Sequence, residues 1–131
     1  MVVITIIAVL LAILLPNISR SRQQAILSSC EYNERNIVAA LEIYNTQYKR
    51  YPTSLSVIFP LYMKHATCPT NKSDYGYTPD AEGKYFTLMC NGTHYQGTLD
   101  IPEGYPQYSP LCGMITRPGQ TNSDSGSGSG N

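Results

Sequence analysis

The chain has no tryptophan and only two phenylalanines, yet eleven tyrosines. A core built mainly on large apolar rings is therefore excluded. The aromatic surface falls instead to a side chain whose ring packs while its hydroxyl reaches water. Charge is scarce as well: nine basic and nine acidic residues leave a net charge of zero. No basic field is present to release counterions from a phosphate backbone, so no nucleic-acid partner is expected. The patterns that carry catalysis are also missing. There is no Gly-x-Ser-x-Gly turn, no glycine-rich phosphate loop and no paired-carboxylate motif, and nothing supports an enzyme. Neither Cys-x-x-Cys nor His-x-x-x-His occurs, so the sequence assigns no metal site and no cofactor. His65 reads as a solvated connector residue and His94 as a surface or cross-strand residue beside a turn.

What the chain does have is a hydrocarbon run at its start. Val2, Val3, Ile4, Ile6, Ile7, Val9, Leu10, Leu11, Ile13, Leu14 and Leu15 are interrupted only by Thr5 and two alanines, and the run stops at Pro16. Fourteen residues at the helical rise span about 21 Å, short of a ~30 Å hydrocarbon layer. A signal peptide fits poorly, because no basic segment precedes Val2 and no small-residue cleavage site follows Leu15. Residues 17–48 continue as an amphipathic helix, with Ile26, Cys30, Ile37, Leu41, Tyr44 and Tyr48 on one face. Ser21, Glu31, Glu34, Glu42 and Lys49 are expected elsewhere. Pro16 predicts a kink between the two halves, and Tyr51-Pro52 ends the helix.

Residues 53–60 read as a short helix or turn. Residues 74–78 and 84–90 read as two strands of a hairpin closed by Pro79-Asp-Ala-Glu-Gly83. Asn91-Gly92 signals a further turn, with a third strand at 93–99. Prolines at 102, 106, 110 and 118 predict an irregular C-terminal segment, and residues 118–131 a flexible Gly/Ser-rich tail. The expected fold class is α+β: a long N-terminal helix packed on a small antiparallel sheet. Its parts are a stem at 1–24, a head at 25–117 and the tail.

The stem string from Met1 to Pro16, continuous with Asn36-Ile-Val-Ala-Ala-Leu-Glu-Ile-Tyr44 and Arg50-Tyr-Pro-Thr-Ser-Leu55, resembles the N-terminal helix of type IV pilins and type II secretion pseudopilins. In that family a prepilin peptidase removes a leader after a glycine, and a methylated phenylalanine and a nearby glutamate follow. The chain begins inside that pattern, so the expected natural start lies a few residues upstream. The resemblance implies a subunit held in a bacterial inner membrane by its stem and polymerising through it into a helical filament, a pilus or a periplasmic pseudopilus. Implied partners are identical subunits, minor pilins or pseudopilins, the prepilin peptidase, an inner-membrane platform and an assembly ATPase. The alternative is a membrane-tethered extracytoplasmic binding module that does not polymerise.

Arg20 and Arg22, just beyond the apolar run, favour a cytoplasmic flank, whereas four cysteines favour an oxidising compartment. The cysteines weigh more, because the charge rule compares both flanks. Cys68 before the first strand and Cys90 at the end of the second should meet, and a disulfide there would close a loop of about 20 residues and add ~3 kcal/mol. Pairing Cys30 with Cys112 would then staple the C-terminal segment to the helix. Four cysteines permit three connectivities, and free thiols are the remaining option. The resemblance also implies calcium in a C-terminal loop. Asp100 and Glu103 are the candidate oxygen ligands, with a solvated loop as the default.

Overall fold

The computed structural model of the chain describes residues 1–94 and 101–119, the side chains of Pro16 and Asn17 excepted. Helix α1 (Val2–Tyr48) takes in both the apolar stem and the amphipathic stretch, 47 residues or about 70 Å of axis. Its halves, Val2–Leu15 and Ile18–Tyr48, meet at 41°, where the sequence has Pro16. No single described helix is long and apolar enough to cross a membrane; the bent pair passes that test together. The helix ends on Lys49, whose left-handed φ of 59° lets its N–H donate to the Asn45 carbonyl. A 3-10 turn at Leu55–Val57 follows, capped by the Ser54 hydroxyl.

Four short strands form one antiparallel sheet in the order β1 (Gly76–Pro79), β2 (Phe86–Met89), β3 (Gln107–Ser109), β4 (Gly113–Ile115). The expected hairpin is β1–β2, with Tyr77 opposite Leu88 and Thr78 opposite Thr87. Asp80 holds its turn by accepting from the Lys84 and Tyr85 N–H groups at 2.7 and 3.3 Å. Gly83 supplies the positive φ of 68° that closes it.

The next partner of β2 is a surprise. Thr93 and His94 lie in no strand, and the rest of the expected third strand, Tyr95 to Asp100, lies outside the described residues. The place beside β2 is taken by β3, from the segment expected to be irregular. Proline position explains this. Pro106 precedes β3 and Pro110 follows it, so neither removes a ladder N–H from within the strand. The Pro106 carbonyl even extends the ladder, accepting from Cys90 N at 3.0 Å.

The sheet packs on the second half of α1. Ile37 and Leu41 from the helix, Ile58 from the connector, and Phe86 and Leu88 from β2 are almost wholly excluded from water. Tyr51 and Tyr75 complete this core, the Tyr51 ring meeting Phe86 edge-on at 4.7 Å. Of the expected helical face, Cys30, Ile37 and Leu41 are buried, Ile26 and Tyr44 half-buried, and Tyr48 exposed. One residue expected off that face belongs to it. Glu34, one turn after Cys30 and one before Ile37, is fully buried, as its spacing requires. The C-terminal hairpin reaches the helix through Thr116 Oγ1, which donates to Glu31 Oε1 at 3.1 Å.

Candidate functional site

Two features stand apart from an ordinary small core, and the first is the stem. Each large apolar side chain from Val2 to Leu15 is more than half exposed; the least exposed of them, Ile7, shows 51% of its surface. Isolated surface leucines are ordinary, whereas a contiguous exposed apolar cylinder is out of the ordinary for a surface in water. The chain's own sheet covers only the later half of α1. Arg20 and Arg22 follow the apolar run as exposed residues.

The second feature lies where α1, the connector and the end of β2 converge. Cys30 comes from the helix, Cys68 from the loop before β1, Cys90 from the residue after β2, and His94 from four residues on. All four are buried, and their ligand atoms lie within 4.8 Å of one another. Cys30 Sγ donates to Cys90 Sγ at 3.1 Å, and the sulfurs of Cys90 and Cys68 are 3.3 Å apart. His94 Nε2 lies 3.3 Å from Cys90 Sγ and 3.6 Å from Cys68 Sγ.

The surroundings fix this arrangement. Thr70 Oγ1 meets the other ring nitrogen, Nδ1, at 3.3 Å. The Gly92 N–H donates to Cys90 Sγ at 3.3 Å, and the Tyr75 hydroxyl donates toward Cys30 Sγ at 3.4 Å. A Cβ built on Gly92 would sit 2.1 Å from Cys68 Sγ, so only glycine lets the loop pass this close. A cleft bordered by Gln23, Ile26, Thr70, Thr93 and His94 opens beside the imidazole.

The electrostatics divide the sulfurs. The Cys30 hydrogen bond, followed by those from His94 and Gly92, pulls the Cys90 thiol well below its ordinary range against the cost of burial. Cys30 is driven up as the donor to Cys90 and by burial, and Cys68 is raised chiefly by burial. Negative charge in the cluster therefore concentrates on Cys90. Glu34 is buried with neither carboxylate oxygen hydrogen-bonded. Burial first, and then the negative charge of Cys90, pushes its carboxyl up to about 9.

The four cysteines stand as free thiols. Cys68 and Cys90 are adjacent as expected, but Cys30 joins them and is not paired with Cys112, which is exposed in the β3–β4 turn. The staple expected of Cys30 and Cys112 is thus replaced by the Thr116–Glu31 bond. Of the calcium candidates, Glu103 is exposed and Asp100 lies outside the described residues. His65 is an exposed connector residue paired with Asp74 at 3.1 Å. His94, in contrast, is a buried member of the cluster. The signal for it was present as Cys90-x-x-x-His94, a spacing short enough for one loop to offer two ligands. No family model, curated protein or solved structure matches this chain.

Proposed function

We propose that the chain is a structural subunit of a filament of the type IV pilus or type II secretion pseudopilus class. In this reading Val2–Leu15 holds the chain in a membrane and then packs against the stems of other copies. The observation that carries it is the bare stem, an apolar helical surface continuous with the helix that organises the head. Helices without polar side chains associate through close van der Waals packing, which needs a long uninterrupted contact. The head, built on the same helix, then forms the outer layer. The role is structural rather than enzymatic, with identical subunits as the first partner.

The test is recovery of filaments. Cells expressing the chain are sheared, and the pelleted fibres are probed for it. We expect the chain in the fibre fraction, and Leu10→Glu to reduce its recovery there at least about tenfold, since a central carboxylate costs ~2.5–3.5 kcal/mol in an apolar environment. A chain found only as a detergent-soluble monomer, with Leu10→Glu indistinguishable from it, would instead identify a tethered module.

A further inference from the structure

We propose that Cys30, Cys68, Cys90 and His94 bind one zinc ion in a closed, structural site that locks the helix, the connector and the sheet together. This inference rests on the head alone and stands whether or not the chains polymerise.

The donor set fits the ion. Three thiolates and one imidazole match the borderline-soft character of Zn2+, which needs no preferred geometry beyond tetrahedral. With ordinary Zn–S and Zn–N bonds, a tetrahedral site has S···S edges of about 3.8 Å and S···N edges of about 3.5 Å. The sulfur pairs here stand at 3.1 and 3.3 Å and the sulfur–nitrogen pairs at 3.3 and 3.6 Å. Entry of the ion therefore requires Cys30 and Cys68 each to draw back from Cys90 by about half an ångström, and every remaining pair of ligand atoms already lies within 4.8 Å.

The surroundings also suit a metal. His94 can carry its proton on Nδ1 and donate it to Thr70 Oγ1, which turns the Nε2 lone pair toward the sulfurs. The Gly92 N–H and the Tyr75 hydroxyl donate to two of the sulfurs, as groups around a thiolate-rich centre should.

A disulfide explains the cluster less completely. One disulfide joins two sulfurs and leaves the third thiol and a buried imidazole beside it without a role, whereas a metal ion engages all four groups. In the bound state all three cysteines are thiolates, any proton still on a sulfur having passed to solvent, and the neutral imidazole gives none. Three thiolates against the dipositive ion leave one net negative charge. The cysteines are wholly excluded from water and His94 nearly so. No coordination position then faces a substrate, so the site is structural and not catalytic. Three segments far apart in sequence meet here, and a shared ion would join them beside the small apolar core.

The test uses the full chain extracted in detergent. Elemental analysis should give one zinc per chain. Stripping the metal and adding Co2+ should give the visible bands of tetrahedral cobalt with thiolate-to-cobalt charge transfer. His94→Gln should lose the metal. Because that variant removes a buried group and can fail to fold, Thr70→Ala is the second variant: its side chain lies at the rim, and it should weaken zinc about tenfold in competition with a chelator. Cys112→Ser should keep one zinc per chain. Two results overturn the proposal. One is a non-reduced chain whose mass shows a disulfide among Cys30, Cys68 and Cys90. The other is a folded chain with free thiols that holds no zinc and gives no tetrahedral cobalt spectrum.

Discussion

Glu34 shows how much one residue can set. It sits on the buried face of α1 with both carboxylate oxygens unpartnered, and its carboxyl is pushed up to about 9, chiefly by burial. Its ordinary value is near 4.5. A group held protonated in the folded state favours folding most below its unfolded value, and that advantage is lost as pH rises toward the folded one. Wild-type stability should therefore fall between pH 6 and 8.5 by as much as about 1.4 kcal/mol per pH unit from this residue alone. Glu34→Gln keeps the shape and removes the proton. Denaturant unfolding should show its advantage over wild type growing across that range. A constant difference between the two chains would show that Glu34 is already ionised or solvated. Gly92 illustrates a different residue-scale constraint. Its missing side chain is what admits the Cys68 sulfur, so the glycine of the Asn91-Gly92 pair serves a close approach.

At the scale of elements, α1 does two jobs with one periodicity. Its first half is apolar on all sides and exposed, while its second half is apolar on one side and covered by the sheet. Leu41, fully buried against Ile37 and the strand residues, belongs to the covered half. Leu41→Ala should cost about 2–5 kcal/mol of head stability, read from a denaturant midpoint. A loss under about 1 kcal/mol would mean that the sheet is not seated on this face. The sheet itself was half legible. The β1–β2 hairpin has turn chemistry at Asp80 and Gly83 that names it from sequence. Strands β3 and β4 are three residues each and lie among prolines, so no pattern of alternation announces them. They form because Leu88 and Met89 offer an unpaired edge to Tyr108 and Gln107, which is a long-range event.

For the whole molecule, the division is between a stem that the chain does not cover and a head that folds on itself. No stem side chain belongs to the described core. Removing residues 1–15 should therefore leave the thermal midpoint of the head within about 4 °C, since ~0.5 kcal/mol or less is at stake. Sedimentation should show the shortened chain as a monomer. A collapse of the midpoint would mean that the stem holds the head together, and a persistent oligomer would move the self-contact from the stem to the head.

The sequence by itself determined the elements whose cause is local. A continuous apolar run stopped at Pro16 and followed by an amphipathic stretch announces the two halves of α1, and the seven- and four-residue spacing of Cys30, Ile37 and Leu41 fixes which face of the second half is buried. It also determined that Cys68 and Cys90 would meet, because a hairpin brings its flanks together. Tertiary structure alone decided the rest. Cys30 faces Cys68 and Cys90 rather than Cys112, and the strand beside β2 is β3, through Leu88–Tyr108 and Met89–Gln107; both are long-range outcomes with no local signal. His94 became part of the cluster because Gly92 lets its loop turn inward over Cys68. Four ligands from three separated segments carry no common spacing, so their convergence exists only once the helix, the connector and the sheet have packed.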